Sequence, residues 1–243
     1  MRRADEDRWL AARFAPERTR RHLTTLYALN YEIARTAETV TQSPLGDIRL
    51  AWWREAIDEV RAGTTPRAHP VVQAFANLSS EIDLSNGALD LLISARARDL
   101  DPAPFATWGD LEAYIDATAG GVVRLAGQIC GGLPEAFALD AGRAWGFVGL
   151  LRASAFWQAR GRRVAPADIE PAEARVRMLA EAKRMYQSAR DQARAMDHAL
   201  FPSFGYLALC RGYLRRIERA QPVEAPLLLR QLALIGAAAT GRL

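Results

Sequence analysis

Apolar residues recur at helical spacing through almost the whole chain, and this period restricts the fold more than any other feature. Its clearest stretch follows i, i+3, i+4, i+7 and i+11 along one helix face: Leu23, Leu26, Tyr27, Asn30 and Ala34. A helix repeats about every 3.6 residues, whereas a half-buried strand alternates every second residue. We find no persuasive strand alternation in the 243 residues. The pattern therefore predicts an all-α protein.

Prolines and glycines divide this pattern into helices joined by short loops. The first long helix is expected to begin near Pro16. The others are predicted over these stretches: Pro44 to Gly63, Val71–Ile82, Ala88–Leu100, Gly109–Ile129, Pro134 to Arg160, Pro171–Met196, and two that follow Pro202 and Pro226. Ser85 and Thr107 are the expected N-caps of two of them. No Pro/Gly/Ser-rich linker interrupts the chain, so residues 1–243 are expected to form a single helical domain.

Two adjacent tryptophans lie in the second of these helices, and only one of them can face the core well. The apolar face of this helix is traced by the following residues: Ile48, Trp52, Ala56, Ile57 and Val60. This register predicts that Trp52 is in the core. Trp53 is then expected at an interface with another helix or with a partner.

The net charge of +4 and the isoelectric point near 9.4 give the chain a mild basic bias. Such a bias is compatible with an anionic ligand, an acidic partner or a membrane surface. No stripe of basic residues with interleaved aromatic residues is present, so we expect no binding to nucleic acid.

Neither end of the chain indicates export or a membrane span. In the segment MRRADEDRWLAARF two arginines are followed by three acidic residues within four positions, unlike a signal or transit peptide. The apolar run near the C-terminus is broken by Arg230 and Gln231 and is too short to span a bilayer. Cys130 and Cys210 each lie among apolar residues and are predicted to be buried free thiols. We therefore expect a soluble or peripheral protein.

Common catalytic and cofactor motifs are missing from the sequence. The histidines His22, His69 and His198 are scattered without metal-ligand spacing. No serine stands in a G-x-S-x-G setting, and no P-loop or G-x-G-x-x-G is found. The glycines of Thr118–Val123 lie inside a helical pattern, which favours close helix packing over phosphate binding.

The stretch from Gly149 to Pro166 reads GLLRASAFWQARGRRVAP. It resembles the second motif of the squalene/phytoene synthase family, which runs N-x-x-R-D-x-x-E-D and continues to G-R-x-x-x-P. Arg152 matches the arginine of the motif, and Gly161, Arg162 and Pro166 match its tail. Where the family has its metal-binding Asn, Asp and Asp, this chain has these residues: Gly149, Ala153 and Trp157. Spaced four apart, they share one helix face and offer magnesium no side-chain oxygen.

Three other segments resemble the family in the same order along the chain. Arg18–Val40 resembles its first motif, L-Y-A-F-C-R-x-x-D-D-x-x-D. At the three aspartates of that motif this chain has these residues: Ala34, Arg35 and Glu38. Pro44–Val60 resembles G-x-x-R-x-x-W-W-R-x-x-L-D, and Tyr114–Gly131 resembles Y-x-x-x-T-A-G-x-V-x-x-L.

The resemblance implies an isoprenoid-synthase-type helical bundle with a central cavity. In active members two acidic motifs face each other across this cavity and hold magnesium on prenyl diphosphates, two of which are joined head to head. Glu38 is the one carboxylate left at a matching position, so the resemblance implies that both magnesium motifs are lost. One branch of the family has lost them in the same manner. Its members are assembly factors of respiratory complex I and their bacterial relatives, with a second motif reading L-R-A-T-x-x-x-x-x-R-R-K-V-x-x-P.

Candidate site residues follow from the resemblance. Those expected at a ligand pocket are Tyr27, Asn30, Ala34, Glu38, Gly149, Arg152, Ala153 and Trp157. Those expected to bind an anion are Arg160, Arg162 and Arg163. Arg152 can contact an anionic head group or form a structural salt bridge, and Trp157 can fill the cavity or wall a lipid pocket. The three arginines can form a solvated cluster that complements the helix dipole, or capture a lipid phosphate or an acidic partner.

Three functions stay open. The first is a bacterial non-catalytic protein, without a cofactor, that is cytoplasmic or peripheral at the inner membrane. It would contact complex I subunits or assembly intermediates, or bind a lipid or isoprenoid there. The second is a Mg²⁺-dependent head-to-head prenyl transferase acting on farnesyl or geranylgeranyl diphosphate, with Glu38 helped by other acids such as Glu32, Asp47 or Glu55. The third is an isoprenoid or quinone carrier, which an open apolar cavity would favour over a scaffold with a filled one.

Overall fold

Helices make up the regular structure of this protein. The computed structural model describes residues 5–40 and 42–243, and within these ranges it contains no strand. The α-helices are, in chain order, α1 (Glu6–Ala12), α2 (Glu17–Ala34), α3 (Thr36–Thr39), α4 (Ser43–Arg61), α5 (Pro70–Ser79), α6 (Asn86–Ala95), α7 (Trp108–Ile115), α8 (Gly121–Cys130), α9 (Glu135–Gln158), α10 (Pro171–Ala193), α11 (Phe201–Phe204), α12 (Cys210–Glu218) and α13 (Leu227–Thr240). A π-helical turn, Asp116–Gly120, joins α7 to α8, and 3-10 turns lie at Arg96–Leu100, His198–Leu200 and Gly205–Leu209. The prediction of an all-α fold is confirmed.

Helix ends follow the local signals in the sequence. The Thr107 hydroxyl accepts a hydrogen bond from the Asp110 backbone N–H at 3.2 Å, and the Asp110 carboxylate accepts one from the Thr107 N–H at 2.9 Å. This capping box begins α7. The Ser85 hydroxyl caps α6 in a similar way, accepting from the Ala88 N–H at 3.3 Å. The apolar period misses α1 and α3, because helices of 7 and 4 residues are too short to show it.

The register predicted for α4 is wrong. Trp53 is the buried tryptophan, with 1% of its surface exposed, whereas Trp52 is half-buried. Leu50 and Ala56 share the buried face with Trp53, and Ile48 is 66% exposed. Adjacent helical residues point about 100° apart, so a small rotation of the face exchanges the two rings.

The backbones of α9 and the π-helical turn approach each other closely. A Cβ built on Gly142 would lie 2.4 Å from the Gly120 Cα, so only glycine fits there. One turn later, a Cβ on Gly146 would lie 2.4 Å from Cγ2 of Ile115. The expectation that the glycines of Thr118–Val123 serve close packing therefore agrees with the structure.

Buried apolar residues form two clusters, and the cavities described below lie where these meet. One cluster unites α2, α4, α5, α6 and α8. The other unites α7, α9, α10, α12, α13 and the turns around residues 201–209. The helix α1 contributes to both, through Leu10 and Ala12. Within the part of the chain that the structure describes, each helix is too short or too polar to reach across a bilayer.

Candidate functional site

An open cavity of about 240 Å³, here called the outer cleft, lies between the end of α2, the turn Arg96–Leu100 and the end of α9. It brings together five of the predicted site residues: Ala34, Glu38, Trp157, Arg162 and Arg163. Residues that the sequence did not single out complete its walls: Arg96, Arg98, Asp99, Asp101, Phe105 and Tyr114. The two motif segments thus face each other across a cavity.

Trp157 forms one wall of the outer cleft, and the cleft stays open beside it. Its ring meets that of Phe156 edge to face, with centroids 5.0 Å apart. The Arg162 guanidinium lies 4.9 Å from the Trp157 ring centroid and donates a hydrogen bond to the Asp101 carbonyl at 2.6 Å. The stacking of Arg162 on Trp157, together with this hydrogen bond, holds both side chains in the wall of the cleft.

A second cavity of about 180 Å³, here called the inner chamber, adjoins the cleft and is about as open to solvent. Arg96, Tyr114 and Leu150 line both cavities, so the two adjoin. Asn30 and Gly149 line the inner chamber. Seven members of the predicted set are therefore divided between two adjoining open cavities.

Arg8 is a charged wall of the inner chamber, with 7% of its surface exposed. It donates to the Asp5 carboxylate at 2.8 Å. Its guanidinium carbon lies 5.8, 5.7 and 5.1 Å from the ring centroids of Tyr27, Trp145 and Tyr206. Burial disfavours the charged form, but Asp5, Tyr206 and Tyr27 together outweigh it, so the pKa of Arg8 lies above its ordinary value. Tyr27, itself fully buried, thus packs against a wall of the chamber.

Arg96 is the second arginine of the chamber. It donates to the Asp99 carboxylate at 3.1 Å and to the Tyr114 hydroxyl at 2.9 Å, and that hydroxyl donates to Asp99 at 2.7 Å. Several buried polar atoms around the chamber have no hydrogen-bond partner among the described residues: Arg8 Nε, Arg96 Nε, Asn30 Oδ1, Tyr27 Oη and Tyr206 Oη. Burial raises the pKa of both Tyr27 and Tyr206.

Arg152 lies in a group of charges, here called the terminal network, that joins segments near the two ends of the chain and lines a further cavity together with Asp5 and Arg8. Its members are Glu6, Asp7, Arg152, Tyr213, Glu224 and Arg230. Arg152 donates to Asp7 at 3.2 Å and to Glu224 at 2.6 Å, and its guanidinium stacks 4.0 Å from the Tyr213 ring centroid. Of the two roles that the sequence left open for Arg152, the contacts match the structural salt bridge.

The remaining candidates lie at the end of α9. Arg160 is exposed and its guanidinium lies 3.5 Å from the Phe156 ring centroid. Arg163 donates to the carbonyls of Pro166 and Ile169, which holds the loop after α9 in place. Ala153 is half-buried on α9, next to Arg152. The three arginines therefore do not converge on one point.

The side chains of the cleft do not fit a magnesium site. Among the described residues, no three carboxylate, imidazole or thiolate groups lie close enough together to share a metal ion. Asp99 accepts from Arg96 and Tyr114, and Asp101 pairs with Arg98 at 2.7 Å. Glu38 thus has no second uncommitted carboxylate of the cleft to share a cation with.

Sequence reasoning missed the two arginines of the inner chamber. Arg8 lies three residues after Asp5, and Arg96 three residues before Asp99. This spacing predicts a local ion pair on a helix face but carries no information on burial. The signal was present, but it did not distinguish these pairs from solvated ones.

The chain matches a known protein family, and its helical bundle matches known structures. The family model described as squalene/phytoene synthase matches residues 1–233. A dehydrosqualene synthase, solved in complex with a ligand, superposes with a TM-score of 0.79 at 14% identity, covering 98% of this chain and 92% of the other. The squalene synthase HpnC from Alicyclobacillus acidocaldarius superposes with a TM-score of 0.72 at 19% identity, covering 99% and 90%. At these identities the superpositions show the fold alone.

Sequence relatives carry a different name from the structural neighbours. The chain is 23% identical over 240 residues to a protein from Mus musculus named NADH dehydrogenase (ubiquinone) complex I, assembly factor 6. It is 24% identical over 241 residues to the protein of the same name from Bos taurus. Each match covers 90% of this chain and 72% of the relative.

Proposed function

Because the chain belongs to the squalene/phytoene synthase family, we propose that it is a non-catalytic member that acts in the assembly of respiratory complex I. The observation that carries this proposal is the similarity, over 90% of the chain, to proteins named as assembly factor 6 of that complex. Its partners would be complex I subunits or assembly intermediates, met at the membrane surface.

The chemistry of the outer cleft supports a role without catalysis. Prenyl transfer begins when the bond to a diphosphate breaks, and the charge that develops on the leaving group must be stabilised. Removing a single electrostatic donor from such a site typically costs about 3–4 kcal/mol of transition-state stabilisation. At the positions that match the family's metal ligands, in the cleft and next to it, Ala34, Gly149, Ala153 and Trp157 provide no side-chain oxygen, and Glu38 provides one carboxylate.

The other two functions have less support. The transferase alternative is favoured by the segment Pro44–Val60 and by Arg152, which match the family, but Arg152 is paired with Asp7 and Glu224. The carrier alternative needs an open apolar cavity. The inner chamber has two arginines in its walls and a volume of about 180 Å³, below the about 300–1,000 Å³ typical of sites for drug-sized ligands.

A turnover assay tests the absence of catalysis. The purified chain would be incubated with Mg²⁺ and farnesyl or geranylgeranyl diphosphate, and diphosphate release and products compared with those of an authentic synthase. We expect no turnover above the blank. Magnesium-dependent turnover that disappears in Glu38→Ala would replace our proposal with the transferase alternative.

Deletion of the gene in its own organism tests the role in assembly. We expect less assembled complex I on native gels and lower NADH:quinone oxidoreductase activity in the membranes, both restored by the wild-type gene. Glu38→Ala should restore them equally, because the proposed role needs no carboxylate at that position. A deletion strain with unchanged complex I would contradict the proposal. Salt washing of the same membranes would show whether the protein is held peripherally.

A further inference from the structure

The last helix, α13, exposes an apolar face to solvent along its length. Its large side chains are each more than half exposed: Leu228, Leu229, Leu232 and Ile235. The other exposed positions of the helix carry small residues: Ala233, Gly236, Ala239 and Thr240. This face therefore has no charged side chain. A contiguous apolar patch on a folded protein commonly marks an interaction site.

The charged side chain of α13 points into the protein instead. Arg230 is buried, pairs with Asp7 at 2.8 Å and also donates to Glu6. Leu234 and Ala237 lie on the same buried side and belong to the apolar cluster around α9 and α10. The terminal network thus fixes the rotation of α13, and the apolar face cannot turn inward unless these ion pairs break.

The excess positive charge of the chain lies in its last part. Residues 205–243 hold six arginines and two glutamates, an excess of four that equals the net charge of the whole chain. Both glutamates are already paired, Glu218 with Lys183 and Glu224 with Arg152. The arginines of this part that are exposed to solvent are Arg211, Arg215, Arg219 and Arg242.

Basic side chains lie at both ends of α13. Arg242 is the second residue after the helix, and its N–H closes the last turn on the Ala237 carbonyl at 3.2 Å. At the other end, Arg216 donates to the Pro222 carbonyl at 3.1 Å, in the loop that leads into the helix. A surface that takes up the apolar face would therefore meet cations near both of its ends.

The composition of this face favours lipid over protein as its occupant. A stable protein interface takes about 20–30 residues a side and forms about one hydrogen bond per 100–200 Å². The exposed face of α13 has eight residues. Its Thr240 hydroxyl already donates to the Gly236 carbonyl at 2.7 Å. A layer of acyl chains requires no hydrogen bonds from the face, and anionic head groups suit the nearby arginines.

We propose that α13 binds an anionic lipid membrane and lies along its surface, with Leu228, Leu232 and Ile235 in the acyl-chain layer. A helix of 14 residues is about 21 Å long, shorter than a hydrocarbon core of about 30 Å. The ion pairs of Arg230 hold it against the bundle. The choice of a respiratory membrane rests on the proposed function, to which α13 adds the surface by which the protein would reach assembling complex I.

Flotation with lipid vesicles measures this binding on the purified full chain. We expect the protein to float with vesicles of phosphatidylcholine and phosphatidylglycerol, and far less with phosphatidylcholine alone or at high salt, because the arginines are screened. Leu232→Glu should weaken binding by about tenfold or more, because it removes one buried leucine and adds a charge to the face. Leu91→Glu is the matched control, since Leu91 is also more than half exposed but lies on α6. It should float like the wild type.

A fluorescent probe tests the orientation of the helix without adding a charge. Ile235→Cys would be labelled with an environment-sensitive fluorophore. Its emission should shift to the blue on anionic vesicles, because the face enters the acyl-chain layer. Leu91→Cys with the same label should show no shift. The native thiols should label slowly, because Cys210 is buried and Cys130 is half-buried.

The proposal is overturned if the wild type does not float with anionic vesicles or if Leu232→Glu floats equally well. It is also overturned if light scattering shows a dimer that Leu232→Glu separates, because the occupant would then be a second copy of the chain. Vesicle binding together with unchanged complex I in the deletion strain would contradict the assembly role alone. Loss of complex I in that strain without vesicle binding would contradict the membrane surface alone.

Discussion

The terminal network and the inner chamber both bury arginines beside aromatic rings, but they differ in how completely the polar groups are paired. In the terminal network, Asp7 is 4% exposed and accepts hydrogen bonds from Arg152, Tyr213 and Arg230 at 3.2, 2.7 and 2.8 Å. In the chamber, Arg8 and Arg96 each keep an unpaired Nε–H. The first arrangement joins helices near the two ends of the chain, whereas the second leaves buried donors of its arginines unpaired.

The largest expected effect is the loss of the carboxylate at the centre of the terminal network. Asp7→Ala would leave Arg152 and Arg230 without their shared buried partner, although Glu224 and Glu6 would remain. Breaking a buried ion pair by removing one partner typically costs about 3–5 kcal/mol. We expect a loss of this size in the free energy of unfolding measured in urea. Asp83→Ala, at an exposed loop position, should change it by less than about 0.5 kcal/mol.

Two tyrosines provide a direct test of the difference in pairing. The Tyr213 hydroxyl donates to Asp7, whereas the Tyr27 hydroxyl has no partner among the described residues. Hydrogen bonds to charged groups contribute about 1.5–3 kcal/mol, so Tyr213→Phe should lower the free energy of unfolding by that amount. Tyr27→Phe removes a buried, unpaired group and should leave stability unchanged or slightly higher. Equal losses in the two variants would mean that the two regions do not differ as the structure indicates.

How far the sequence predicted these regions depends on the range of the interactions involved. The long helices follow from apolar periodicity and local caps such as Thr107, which act within a few residues. That the two motif segments face each other across a cavity was predicted from the resemblance to a family, and not from the spacing of residues along the chain. The burial of Arg8 could not be predicted, because Tyr27, Trp145 and Tyr206 enclose it from three distant parts of the chain. The exchange of Trp52 and Trp53 has a similar cause, since His69 from beyond α4 packs on both rings and Arg67 covers that of Trp52.

Two glycines on α9 differ in their surroundings, since Gly142 is packed against another backbone and Gly149 faces open space. Gly142 contacts the backbone of Gly120, so Gly142→Ala forces the helix and the π-helical turn apart and should cost about 1–3 kcal/mol. Gly149 lines the chamber and has room for a Cβ, so Gly149→Ala should stabilise α9 by about 0.5–1 kcal/mol. Thermal unfolding of the two variants would measure both changes. Destabilisation by Gly149→Ala would indicate that the chamber is closed in solution.

The reactivity of the two cysteines compares the two regions in the wild-type protein, without any change in stability. Burial raises the pKa of the half-buried Cys130 thiol to about 11, although a contact with Ser203 opposes this. The thiolate is the reactive form and a free cysteine has a pKa near 8.5, so at pH 8 Cys130 should react with a disulfide reagent roughly two orders of magnitude more slowly than free cysteine. Its rate should rise about tenfold from pH 8 to pH 9, because the thiolate fraction grows tenfold per pH unit below the pKa.

Cys210 extends this measurement to the terminal network. It is fully buried close to Arg152 and Asp7, and burial raises the pKa of its thiol further than that of Cys130. In Cys130→Ser, the remaining thiol should therefore stay unlabelled until the surrounding helices open, so its labelling rate reports the opening of this region. Adding Asp7→Ala should accelerate the labelling, whereas adding Tyr27→Phe should not, because the change near the chamber leaves the network's hydrogen bonds in place. Fast labelling of Cys210 with the network intact would show that the paired charges do not hold the two ends of the chain together.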